Sequence, residues 1–128
     1  MNGFIIASGI LATAMLIGHS TLGRRDYFLP MTRADFDPYA RRVMEFVWHM
    51  STVAIALMAA ALLALGLGYL TVGGELLGWF VFAHFLAWGL VHLLLGLTSG
   101  LPGAPVRLFQ WVLFLAVAAT AGIGLMKG

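Results

Sequence analysis

Residues 43 to 70 read VMEFVWHMSTVAIALMAAALLALGLGYL, with Glu45 as the only charged side chain in the stretch. A helix that crosses a bilayer needs roughly 20 predominantly apolar residues, and this stretch exceeds that. Soluble domains carry about 25% charged residues; here charged residues make up 9% of the chain, hydrophobic ones 62%, and the mean hydropathy is +0.99. Three further stretches of the same character lie at about 3–22, 76–98 and 106–126. The expected fold is therefore all-α and integral to the membrane: one domain over 1–128, an up-down bundle of four transmembrane helices, with a short interfacial segment between the first two.

The turns support that order. TVGGE at 71–75 and SGLPG at 99–103 are short and glycine-bearing, so helices two and three, and three and four, should be antiparallel neighbours. The first connection, GRRDYFLPMTRADFDPYARR, is the long one, and its mixture of aromatic and charged residues suits a position along the interface. Asp37-Pro38 reads as an N-cap followed by proline at the first helical position, which starts the second helix well before lipid. Small residues recur every four positions, at Ala56, Ala60, Ala64 and Gly68 and again at Ala116, Thr120 and Gly124, as expected where helices approach closely in lipid.

Charge distribution sets the expected orientation. Arg24, Arg25, Arg33, Arg41 and Arg42 lie in the first connection and Arg107 at the start of the last helix, with Lys127 alone at the other side. The positive-inside rule then places the first and third connections in the cytoplasm and both termini outside, with a bacterial inner membrane as the expected location. MNGFIIASGI has no basic residue before its apolar run, so it reads as a retained first span rather than a cleaved signal. Asp26, Asp35 and Asp37 interrupt the arginines, so no basic face forms and nucleic acid is not an expected partner. The bilayer is, with a larger membrane complex or a homo-oligomer as further partners. Without cysteine there can be no disulfide, iron–sulfur cluster or thiolate metal site.

Four histidines, His19, His49, His84 and His92, fall inside the spans. Ionisable residues at such positions normally face a bundle interior and find partners. Counted at ~1.5 Å per residue from Gly23, Arg42 and Ser99, His19 lies about 6 Å into the span and His49 and His92 about 10 Å. Three histidines on three helices thus share a level, with Glu45 and Gln110 beside it. His84 is two turns away, yet His84, Trp88 and His92 step by four along one face.

Two guests suit such a layer. A b-type haem needs imidazoles from facing helices, small residues beside the ring and basic groups for its propionates. His19 and His92 lie on diagonal helices, with Gly18, Gly89 and Gly96 nearby and Arg24, Arg25, Arg41 and Arg42 at the rim, and His49 would hydrogen-bond to Glu45. A transition metal ion would draw instead on His19, His49, His92 and Glu45. The plainer readings are that Glu45 pairs with Arg41 or Arg42, that Trp48, Trp79 and Trp111 are interfacial belt residues, and that the histidines are helix–helix contacts in an accessory subunit. No HExxH, CxxCH or phosphate loop is present, and Ser20 and Ser51 adjoin histidines only as i, i+1 neighbours that do not face each other. Haem is the leading expectation, and no enzyme activity is indicated.

Overall fold

The computed structural model describes residues 1–127. Four helices are long and apolar enough to cross a membrane: Gly3–Arg33, Pro38–Leu67, Gly74–Thr98 and Gln110–Lys127. No strand occurs among the described residues. The chain is an integral membrane protein built as a four-helix bundle, and the helices are numbered here as spans one to four.

The segment expected along the interface is a continuation of span one. The helix runs in α geometry over Gly3–Gly18, widens to i→i+5 hydrogen bonding over His19–Phe28 and returns to α over Leu29–Arg33. Pro30 accounts for part of this. A proline inside an α-helix loses a hydrogen bond and its ring collides with the preceding turn, whereas here the turn before it is widened, with the Leu29 N–H bonded to Arg24 O. Span two starts at Pro38 as expected, and the Asp37 Oδ1 accepts the Ala40 N–H at 2.9 Å. Span four begins at Gln110 rather than near 106, because Ala104–Arg107 forms a separate short helix and Leu108 leaves helical geometry.

Span one packs on spans two and four, and span three packs on span four. Spans two and three touch only slightly, so the antiparallel neighbours expected there are splayed. Spans one and three are not packed on each other and stand diagonally. Asn2 ties the end that bears the termini: its N–H donates to Gly66 O and its Nδ2 to Gly124 O, both at 2.8 Å. Glycine is required at both acceptors. A Cβ on Gly66 would stand 2.7 Å from the Ile6 backbone nitrogen, and one on Gly124 2.6 Å from Ile5 Cγ1.

The residues that carry the span two contact are not the small stripe read from the sequence. Ile55, Ala59, Leu62 and Gly66 are buried, whereas Ala60 and Gly68 are exposed. Ser8, fully buried on span one, donates to Val117 O of span four at 2.8 Å. In hydrocarbon an unmatched hydroxyl would cost several kcal/mol, so this bond fixes the register of the two helices.

The packed core lies toward the termini end. Its members are Ile5, Ala12 and Met15, then Ile55 to Leu62, Val81 and Phe85, and Phe114 to Ala121. His19, His49 and His92 each lie beyond the last large buried side chain of their span, toward the end that bears the arginines.

Candidate functional site

The widened part of span one meets span two through aromatic rings. The His19 imidazole stacks on Trp48 at 4.0 Å between centroids and 18° between planes. Phe28 leans on Trp48 at 5.1 Å and meets the His49 ring edge-on at 5.6 Å. Gly23 makes room, since a Cβ there would come within 3.2 Å of the Trp48 ring. Trp48 thus makes a helix–helix contact near the start of span two. Trp111 stays at its helix start and donates to Pro105 O at 2.8 Å.

His19 Nε2 lies 3.0 Å from Thr52 Oγ1, whose own proton goes to Trp48 O at 3.0 Å. The hydroxyl has one proton to give, to Trp48 O with His19 Nε2–H donating to it, or to His19 Nε2 in the other tautomer. Thr52 and Phe28 were not legible as site residues. The one signal was spacing: Thr52 is one turn from Trp48 and adjoins Ser51 in an apolar helix.

Glu45 does not reach His49. Its carboxylate accepts from Arg42 at 2.6 Å, an i, i+3 pair in which the arginine is 82% and the glutamate 23% exposed. His49 itself is exposed and contacts the chain through Phe28. His92, half-buried, rests against Phe114 at 5.5 Å. His84 sits between Phe80 and Trp88, and its Nε2 is buried without a hydrogen-bond partner. The histidines therefore fall into two aromatic clusters, His19 with His49 where spans one and two meet, and His84 with His92 where spans three and four meet.

This arrangement corrects the four-donor metal set. Among the described residues, no three His, Cys, Asp or Glu side chains come together in a way that could hold a metal ion. Glu45 is turned to Arg42, His19 to Trp48 and Thr52, His49 to Phe28 and His92 to Phe114. Two of the three glycines expected beside a haem are also engaged elsewhere, because Gly89 admits Leu115 and Gly96 admits Pro105. Gly18 faces open space. Arg41 donates to Ala34 O at 2.7 Å, lies over the Phe36 ring and has a buried Nε without a partner; Arg25 pairs with Asp26; Arg24 is exposed.

Comparison of the chain with protein-family profiles, curated proteins and solved structures finds no match.

Proposed function

We propose that this membrane protein can hold a b-type haem in the arginine-end half of the bundle, with His19 and His92 as the ligands, which requires both rings to turn out of the separate aromatic clusters they occupy. The observation that carries this is the place where packing stops. Counted at ~1.5 Å per residue from Gly3 and Gly74, both histidines lie roughly 24–27 Å along their spans. These spans are diagonal, and no large side chain is fully buried beyond Met15 on one or Phe85 on the other. Gln110, one turn from the Phe114 against which His92 rests, has a buried side-chain oxygen without a partner.

Trp48 holds the His19 ring plane, and Thr52 engages the nitrogen that would ligate. Releasing that nitrogen costs about 1 kcal/mol, the net value of one neutral hydrogen bond, which is small beside an iron–imidazole bond. Arg24 supplies an uncommitted charge at the rim for a propionate. A haem bound in this way gives the membrane interior a one-electron carrier.

A second reading is favoured by a different observation. His19 with Thr52 and Glu45 with Arg42 close their polar contacts within the chain, as the helix-fixing side chains of an accessory subunit would. Absorption spectra of the purified protein separate the two. A low-spin Soret band, lost in His92→Ala and retained in His84→Ala, supports haem. Protein purified without haem, and unable to take it up when supplied, supports the accessory role; a stoichiometric zinc, copper or iron ion lost on changing His49 would overturn both.

A further inference from the structure

Six of the seven basic side chains stand at one end of the bundle, and most of them are already engaged. Arg25 is paired with Asp26 and Arg42 with Glu45, each at 2.6 Å. Arg41 donates to Ala34 O and lies over the Phe36 ring. Arg33 lies further out, at the far end of span one, beside the connection that carries Asp35 and Asp37. Arg24 and Arg107 remain: both are exposed, and neither forms an ion pair among the described residues.

Tyr27 links the segments that carry these two. Its hydroxyl donates to Arg107 O at 2.9 Å, joining the extension of span one to the short helix Ala104–Arg107 across 80 residues of chain. Arg24 lies just before Tyr27 on that extension, and the neighbouring Asp26 is taken by Arg25. The level is that of the headgroups. Asn2, tied to Gly66 O and Gly124 O, marks the polar edge at the other end. Counted from it along the helix, Arg24 stands about 30–33 Å away, at the edge of a hydrocarbon core ~30 Å thick. Two uncompensated guanidinium groups at that plane call for an anion held there, and a guanidinium fork matches phosphate oxygens in bidentate geometry. A phosphatidylcholine headgroup offsets its phosphate with its own ammonium, whereas phosphatidylglycerol leaves the charge to be met by arginine.

We infer that Arg24 and Arg107 form a headgroup site for an anionic phospholipid, whose phosphate bridges the extension of span one and the short helix before span four beside Tyr27. The bridge acts where the protein core does not reach, since no large side chain is fully buried at that end. The haem reading draws on Arg24 and not on Arg107, so a change at Arg107 reports the lipid site alone.

The test is native mass spectrometry of the full chain released from nanodiscs of equal phosphatidylglycerol and phosphatidylcholine. Preferential retention of phosphatidylglycerol is expected. Arg24→Gln and Arg107→Gln should each weaken it about fivefold, the effect of one arginine at an anionic surface, and Arg107→Lys, which keeps the charge and loses the fork, should fall between. Lys127→Gln, at the opposite end, and Arg42→Gln, whose charge Glu45 already offsets, should change little. Melting curves in phosphatidylcholine alone check that these exposed substitutions leave the fold intact. Equal retention of the two lipids overturns the proposal, as does retention indifferent to both Arg24→Gln and Arg107→Gln. So does an equal loss in Arg42→Gln or Lys127→Gln, the mark of diffuse charge, or displacement of the lipid by millimolar inorganic phosphate, the mark of a site for free anions. Loss of retention in Arg107→Gln with an unchanged Soret band, or in protein that carries no haem, upholds the lipid site whatever becomes of the haem.

Discussion

The His19 and Trp48 rings lie face to face, 4.0 Å apart and 18° from parallel, where the widened helix of span one crosses span two. The hydrogen bond to Thr52 and the absence of a side chain at Gly23 hold the same contact from two sides.

Removing either support should be visible separately. Thr52→Val keeps the shape of the side chain and deletes the hydroxyl that bonds His19, so stability should fall by about 1 kcal/mol. Gly23→Leu presses directly on the Trp48 ring and should cost about 1–3 kcal/mol, with a shift in tryptophan emission. Thermal unfolding in detergent, followed by fluorescence, checks both; an unshifted melting curve in Gly23→Leu would contradict the packing.

Gly66→Leu should be far more damaging. Its Cβ would meet the Ile6 backbone, not a flexible side-chain tip, so the spans must separate and the Asn2 hydrogen bonds break with them. Loss of the folded monomer on size-exclusion in detergent is the expected result. Gly68→Asn, at a left-handed helix end with open space around it, should fold.

Ser8→Ala removes a buried bond to Val117 O. The lost bond and the carbonyl left behind should together lower stability by about 1–2 kcal/mol, measurable by steric-trap or thermal unfolding.

Glu45→Gln should do little to stability. Its Arg42 partner is 82% exposed, and such pairs contribute about 0.2–1 kcal/mol or less. A melting shift of several degrees would mean that Glu45 has a partner beyond Arg42.

Orientation is tested by fusion. Reporters at the C-terminus should report the non-cytoplasmic side, as the arginine asymmetry requires; a cytoplasmic C-terminus would reverse the side to which the candidate site is assigned.

The number of spans and the Asp37 cap were legible in the sequence alone, whereas the run of span one to Arg33 and the start of span four at Gln110 were not. Uninterrupted apolar runs in so uncharged a chain have no alternative to crossing lipid, and Asp-Pro acts through local geometry. The position of each histidine along its span was also legible, because it follows from counting residues along a helix. Their direction was not. Depth changes by 1.5 Å per residue but facing turns by 100°, so which neighbour a side chain meets depends on how each helix rotates against the others. That rotation is decided by tertiary packing: by the Asn2 tie to Gly66 and Gly124, by Ser8 on Val117, and by Ala59 rather than Ala60 facing inward. These contacts set His19 on Trp48 and His92 on Phe114, and they leave His49 exposed.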